Sequence, residues 1–169
     1  MSTPEVLSMM EFRGQQAVRH AEFSLPSSAE SAFSLFTPKG LSSWMASWDP
    51  TPIYPAEMVC ELNTVFEVFQ EGERSIWTIV EADNQAMVVD YVSFVFMSRI
   101  ARLRVQVTAT GEESCRVNIA YTATGFTDAG DRIVEDLTDE VFSRKMQRWQ
   151  RNLTKALNSQ TKSPLPHAA

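Results

Sequence analysis

The sequence predicts an α+β domain in which a curved antiparallel sheet of six or seven strands wraps around a long C-terminal helix. Two observations carry this prediction. From about residue 63 to residue 124 apolar and polar side chains alternate with a period of two, and from residue 128 the period becomes that of a helix. The breaks between the alternating segments are short, so neighbouring strands must be antiparallel, because parallel strands need a long crossover.

Four shorter segments precede the alternating region. Residues 17–25 alternate in the same way and predict the first strand, which ends at Pro26. Residues 27–30, Ser-Ser-Ala-Glu, have the spacing of a capping box and predict a short amphipathic helix, ended by the next Thr-Pro-Lys-Gly sequence. Residues 41–47 predict a second short helix. Residues 49–55 contain three prolines and predict a loop.

The alternating region predicts a meander of five strands. We place them near residues 63–69, 74–82, 86–96, 99–110 and 114–124. The last two are the clearest, since Leu103 and Val105 alternate with Arg102, Arg104 and Gln106. One face of this half of the sheet is therefore expected to be dry and the other to meet water.

Residues 128–157 predict one continuous helix. Its apolar stripe consists of Ile133, Leu137, Val141, Met146, Trp149, Leu153 and Leu157, flanked by Val134 and Phe142. Acidic residues fill the first half and basic residues the second, which complements the helix dipole. At 1.5 Å per residue such a helix is about 45 Å long. A ten-residue strand spans only about 33 Å, so the sheet must bend around the helix.

Composition excludes several kinds of function. The chain has 15 Lys+Arg against 21 Asp+Glu and a formal net charge of −6, so no nucleic-acid partner is predicted. Two histidines, two cysteines and six glycines offer little material for a metal centre, a catalytic triad or a phosphate loop, and no metal or other cofactor is predicted. The apolar stretches are strand-sized and no signal-peptide pattern is present, so we expect a cytoplasmic protein without a membrane partner.

At 169 residues the chain is expected to form one domain with a substantial core. We predict an N-terminal extension over residues 1–16, the domain over residues 17–158, and a flexible tail over residues 159–169.

The order of these elements resembles the helix-grip fold of the START-like or SRPBCC superfamily. Local similarities support the resemblance: residues 24–26 lead into the helix at residues 29–36, Trp44 lies in the second helix, and residues 77–83 are similar to the family's Val-x-Glu-Val-Asp stretch. The superfamily includes polyketide cyclase-like proteins, plant pathogenesis-related ligand carriers and activators of heat-shock chaperones. The resemblance covers residues 17–157. It implies an apolar cavity between sheet and last helix that binds a small hydrophobic molecule, such as a lipid or a polyketide.

Six side chains are candidates to line such a cavity and to bind its ligand. They are Trp77, Tyr91, Tyr121, Phe142, Met146 and Trp149. An aromatic side chain with one polar atom offers an apolar body and an orienting contact, and the two tyrosine hydroxyls are the sharpest candidates because a buried hydroxyl needs a partner. The alternative is that these residues simply fill the core, which uses the same residue types.

Two acidic residues raise the alternative of an enzyme of cyclase or dehydratase type. Asp90 and Glu67 lie in apolar strands, and an inward carboxylate, or a tyrosine, could act as acid or base. For Asp90 we prefer an outward, solvated position. A third alternative is a protein-binding module of the chaperone-activator type, with a filled interior and a functional outer surface.

Residues 63–69 and 86–96 are apolar on both faces, and one helix can cover only one of them. The second face must be covered either by residues 9–12, Met-Met-Glu-Phe, or by a second copy of the chain. The sequence therefore also raises the hypothesis of a homodimer.

Overall fold

The computed structural model describes residues 13–162, and within that range seven strands form one antiparallel sheet in the order β1-β7-β6-β5-β4-β3-β2. The strands are β1 Gln16–Leu25, β2 Thr51–Tyr54, β3 Val65–Gln70, β4 Glu73–Asp83, β5 Val88–Val95, β6 Arg99–Gly111 and β7 Ser114–Gly125. The helices are α1 Ala29–Ser34, α2 Pro38–Leu41, α3 Asp128–Glu135 and α4 Asp139–Thr161. The predicted fold class is confirmed. None of these helices has both the length and the apolar character needed to cross a bilayer.

Alternation along the strands divides the sheet into an inner face toward α4 and an outer face. Tyr91 on β5 lies opposite Leu103 on β6, and Val105 lies opposite Ile119 on β7. All four belong to the main core cluster, together with Phe142, Met146, Trp149, Leu153 and Leu157 of α4. The residues between them, such as Arg104, lie on the outer face because successive side chains of a strand point to opposite sides.

The first short helix begins at Ala29 as predicted, but its cap and the start of the second helix differ from the prediction. Ser28, not Ser27, is the N-cap of α1, and its hydroxyl accepts a hydrogen bond from the Ser31 amide at 3.3 Å. Helix α2 covers Pro38–Leu41, so most of it lies in the Thr-Pro-Lys-Gly sequence that was predicted to be a break before a helix at residues 41–47. Thr37 caps it by accepting from the Gly40 amide at 3.0 Å. Pro38 is compatible with the first turn of a helix, because a backbone N–H at that position, which proline lacks, would have no partner within the helix.

The predicted loop at residues 49–55 contains strand β2. This strand pairs with β3 and forms the edge of the sheet, with Pro52 opposite Phe66. Proline is tolerated on an edge strand, where one side of the backbone needs no hydrogen-bonded neighbour. The prolines therefore mark an edge strand here, and the prediction of a loop was wrong.

The single long helix predicted at residues 128–157 is two helices, α3 and α4, separated at Thr138. The Thr138 hydroxyl accepts from the Val141 amide at 3.2 Å and starts a new helix. Arg19 of β1 stabilises the break between the two helices. Two of its nitrogens donate to the Leu137 carbonyl, at 3.1 and 2.7 Å, and it forms an ion pair with Asp139 at 3.1 Å.

Helix α4 alone therefore lies across the sheet. Its 23 residues correspond to about 35 Å, and it ends at Thr161, beyond the predicted end at Leu157. Helix α3 packs against β7 and β1, around a small cluster of Ala17, Ala101, Ala123 and Val134 that closes one end of the inner face.

Candidate functional site

A partly enclosed cavity of about 420 Å³ lies between the inner face of the sheet and α4. The sheet supplies its floor, α4 supplies one wall, and the segment from Leu41 to Trp48 supplies another. Five of the six predicted ligand-binding residues line it: Trp77, Tyr121, Phe142, Met146 and Trp149. That these residues bind a ligand stays a prediction.

Tyr91, the sixth, lies outside the lining and is 1% exposed. Its hydroxyl donates to the Phe36 carbonyl at 2.7 Å, which ties β5 to the end of α1. Burial raises the pKa of Tyr91 well above its ordinary value. Its polar atom already has a partner, so Tyr91 supports the cavity from behind instead of facing it.

Tryptophans form most of the aromatic wall. Trp77 packs edge-on against Trp48, with ring centroids 5.2 Å apart, and its indole nitrogen donates to the Ser75 hydroxyl at 2.8 Å. Trp44 packs edge-on against Trp149 of α4 at 5.3 Å. Edge-to-face contacts at such distances stabilise the pairs beyond the burial of their area, so this wall is fixed before any ligand arrives.

The charged groups of the cavity lie close together at what we call its polar end, around an ion pair between β4 and β6. Two nitrogens of Arg99 donate to the two carboxylate oxygens of Glu73, at 2.9 and 2.5 Å, and one of them also donates to the Ser98 hydroxyl at 3.0 Å. The hydrogen bond from Arg99 lowers the pKa of Glu73, against the opposing effect of burial. Both charges of this pair are therefore present at neutral pH.

Tyr121 and Lys145 complete the polar end. The Tyr121 ring stacks on Phe142 at 6.2 Å, and burial raises the pKa of its hydroxyl. The Lys145 ammonium lies 5.8 Å from the ring centroids of both Tyr121 and Trp149. Lys145 as a whole residue is exposed, and desolvation by the protein atoms around its ammonium lowers its pKa.

Sequence reasoning missed Lys145, Glu73 and Arg99. Glu73 and Arg99 are the first residues of β4 and β6, and the antiparallel order brings those two strand ends to the same edge of the sheet. Lys145 was assigned to the basic half of the helix because of the dipole. The break at Thr138 instead places it in the second turn of α4, over the cavity. No local motif marks these three residues.

A second hollow, of about 660 Å³, adjoins this cavity farther along α4, shares Trp44 and Asn152 with it, and is more open to solvent. It is lined by Ser43, Trp44, Asn152, Lys155, Ala156, Ser159 and Gln160. Because it is more open and Trp44 is the one aromatic side chain in its lining, it would enclose less of an apolar ligand, so we place the candidate site in the first cavity.

Asp90 lies on the outer face, away from the cavity, and is completely buried there. Arg102 donates to it from Nε at 3.0 Å and from Nη2 at 2.6 Å, and Arg104 donates from Nη1 at 3.1 Å. Arg104 also pairs with Glu81. The outward direction preferred for Asp90 is confirmed, but the expectation of a solvated charge was wrong, since two arginines cover it.

Glu67 also lies on the outer face, where it pairs with Arg74; the Arg74 Nε is 2.6 Å from Glu67 Oε2. Neither of the two carboxylates proposed for acid–base chemistry therefore faces the cavity.

Solved structures share this fold. Norcoclaurine synthase from Thalictrum flavum, in complex with dopamine and hydroxybenzaldehyde, matches with a TM-score of 0.62 and 17% identity over 89% of this chain and 91% of that one. Ara h 8.0201 matches with a TM-score of 0.57 and 15% identity over 86% and 97% of the two chains. DynU16, from the dynemicin biosynthetic locus, matches with a TM-score of 0.56 and 10% identity over 83% of this chain and 47% of that one.

No protein-family model and no curated protein matches this sequence. At these identities the likeness to solved structures establishes the fold alone. The chain has the helix-grip fold, and the resemblance in fold stated from the sequence is confirmed.

Proposed function

We propose that this protein binds a small, largely hydrophobic molecule in the cavity between the sheet and α4. The observation that carries the proposal is the cavity itself, about 420 Å³ with aromatic walls and polar groups at one end. Binding sites for small molecules commonly combine such a concave apolar lining with a few placed polar groups. The norcoclaurine synthase structure, with its two bound small molecules, supports the proposal by analogy of fold.

The two alternative functions fit the structure less well. An enzyme of cyclase or dehydratase type can no longer draw on Asp90 or Glu67, and its acid–base groups would have to come from Tyr121, Glu73 and Lys145. Their perturbed pKa values are the one observation in its favour. A protein-binding module of chaperone-activator type was expected to have a filled interior, which the cavity argues against.

The homodimer remains a proposal for the outer face. Part of that face needs no partner, because Arg102 and Arg104 cover Asp90. Phe94 and Ile100, which lie opposite each other on β5 and β6, are 40% and 45% exposed and offer a small apolar surface. The alternative cover, residues 9–12, lies outside the described residues. Light scattering at micromolar concentration should give twice the chain mass, and a monomeric mass would exclude the dimer.

The ligand-binding proposal is tested by titration with the neutral probe N-phenyl-1-naphthylamine, followed by the fluorescence of the probe and of the tryptophans. Ala101 lines the cavity and is buried, whereas Ala120 lies on the outer face. Ala101→Leu should fill the cavity and weaken binding at least tenfold, while the matched control Ala120→Leu should leave it unchanged.

Circular dichroism must show that both variants keep the fold. Absence of saturable binding to the parent protein, or equal binding by all three proteins, would overturn the proposal.

A further inference from the structure

We propose that the polar end of the cavity takes the single negative charge of an amphipathic ligand, so that the ligand class is an organic anion, a carboxylate or sulfonate with an apolar body. This inference rests on the proposed function and specifies the chemistry of its ligand.

The charges that line the cavity leave an excess of positive charge. Arg99, Lys145 and Arg148 face it, against the carboxylates of Glu71 and Glu73. Arg99 is already bound to Glu73 through both carboxylate oxygens. The ion pairs found within residues 13–162 include neither Lys145 nor Arg148. In a chain whose formal net charge is −6, this local excess of cations is unexpected.

Lys145 and Arg148 are three residues apart on α4, and side chains at this spacing lie on the same side of a helix. Both line the cavity, so their charges reinforce one another there. After burial, the charge of Arg148 is one of the causes that lower the pKa of Lys145. An anion placed between them would relieve this repulsion.

Within residues 13–162, no carboxylate lies at ion-pair distance from the Lys145 ammonium. Its neighbours at 5.8 Å are the faces of the Tyr121 and Trp149 rings, which attract a cation but accept no strong hydrogen bond. Glu71, on the turn between β3 and β4, favours the charged form from beyond ion-pair distance. An ammonium has three donors, and an oxyanion at the cavity end could accept from it directly.

Tyr121 supplies a further donor on the same side. Its phenol remains protonated at neutral pH, because burial raises the pKa of the hydroxyl. The apolar side chains of the lining, among them Trp77, Leu103 and Met146, would contact the body of the ligand. The cavity thus offers a cationic end with donors and a long apolar wall, the complement of an amphipathic anion.

The experiment compares two probes with the same aromatic frame. 8-Anilinonaphthalene-1-sulfonate carries one negative charge, and N-phenyl-1-naphthylamine lacks the sulfonate. Lys145→Met removes the charge but keeps an unbranched side chain that favours helix. It should weaken binding of the sulfonate about tenfold, as expected for loss of a charged hydrogen bond, and change binding of the neutral probe less than twofold. Lys155→Met, on the same helix beside the second hollow, is the matched control and should change neither.

A pH series gives a second readout. Five groups face Lys145 from the surrounding elements: Glu71 from the β3–β4 turn, Glu73 from β4, Arg99 from β6, Tyr121 from β7 and Arg148 from α4. The pKa of Glu73 is lowered and that of Arg99 is raised by their mutual hydrogen bonds, so this pair keeps its charges as the pH rises, whereas burial lowers the pKa of Lys145 and favours loss of its proton. Binding of the sulfonate should therefore weaken as the pH rises toward 10.5, the ordinary lysine value, while the neutral probe is unaffected.

The outcomes separate the two proposals. If neither probe binds the parent protein, the proposed function fails. If both bind, and Lys145→Met weakens both equally or neither, the inference of an anionic ligand fails while the proposed function stands. Loss of sulfonate binding in Lys155→Met would place the anion in the second hollow and also overturn the inference.

Discussion

The two faces of the sheet differ in how their charged side chains are paired. On the outer face Asp90 is fully buried, yet each of its carboxylate oxygens accepts from an arginine, and one of these, Arg104, also reaches Glu81 on β4. On the inner face the charges line a cavity, and Lys145 meets aromatic rings, with no carboxylate of residues 13–162 in ion-pair contact. One face satisfies its charges internally, and the other leaves a cation available.

The comparison shows that burial of a charge alone does not mark a functional site. Among residues 13–162, Asp90 is the one buried carboxylate. Arg102 and Arg104 pair with it and it faces away from the cavity, so its role is to join β5 to β6. The polar end of the cavity combines partial burial, aromatic neighbours and an incomplete set of partners. That combination, and not burial, points to a ligand.

The largest expected effect comes from removing the cover of Asp90. Arg102→Met combined with Arg104→Met leaves a buried carboxylate without a cation, which should cost about 3–5 kcal/mol of the free energy of unfolding. Urea denaturation measures it. Asp90→Asn should cost less, because the side chains of Arg102 and Arg104 are 58% and 36% exposed and water can hydrate them.

The control is Arg116→Met, which breaks an exposed pair with Glu22 and should cost less than about 1 kcal/mol. A double variant no less stable than this control would show that the outer network contributes nothing, and the contrast between the faces would lose its basis.

A smaller effect is expected where α3 closes the end of the inner face. A Cβ at Gly130 would lie 1.8 Å from the Ser98 carbonyl oxygen, on the turn between β5 and β6. Gly130→Ala must therefore push α3 off this turn, and we expect a loss of about 1–3 kcal/mol, as for an overpacked core. Thermal unfolding measures it. The control is Gly72→Ala, where no atom lies within 4 Å but φ is +82°, so only backbone strain acts. A Gly130→Ala protein as stable as the parent would contradict the close contact.

A loss of about 1 kcal/mol is expected for Thr138→Ala, because the amide of Val141 loses the N-cap oxygen that starts α4. Thr138→Ser keeps that oxygen and should restore most of the stability in urea denaturation. If the alanine and serine variants unfold alike, Thr138 does not hold the break that places Lys145 over the cavity.

The smallest effect is expected at the cavity's own ion pair. Glu73 and Arg99 are partly exposed, so Glu73→Gln should cost at most about 1 kcal/mol at pH 7. The pKa of Glu73 is lowered by Arg99 from its ordinary value of 4.5, so the pair stabilises the fold above that pH. The difference in stability between parent and variant should then disappear as the pH falls through the lowered pKa.

Urea denaturation at several pH values measures this difference, with Glu113→Gln on the exposed β6–β7 turn as control. A difference that persisted at low pH would show that Glu73 acts through its shape and not through its charge.

Most of the sheet could be predicted from the sequence, since alternation and short turns leave one arrangement for β3 to β7. The break between α3 and α4 could not be predicted from the apolar stripe, because Ile133, Leu137 and Val141 continue the helical period across it. The signal was Thr138, followed by two acidic residues that suit the first turn of a new helix. Ile133 and Val141 are both exposed, so two residues of the predicted apolar stripe are not buried in the core.

The candidate site could be predicted only in part. Periodicity places Trp77 and Tyr121 on the inner face of the sheet and Met146 on the apolar stripe of the helix. A cavity, however, is lined by the same residue types as a packed core, and its volume depends on how side chains from distant elements meet. The burial of Asp90 depends likewise on Arg102 and Arg104, which only the register of β5 and β6 brings beside it.

The most direct test of the account is a crystal structure of the protein grown with N-phenyl-1-naphthylamine. The account predicts density for the probe beneath α4, in contact with Trp77, Tyr121 and Met146. A probe that lies instead in the open hollow beside Lys155, or on the outer face of the sheet, would show that the space beneath α4 is not where this protein takes its ligand.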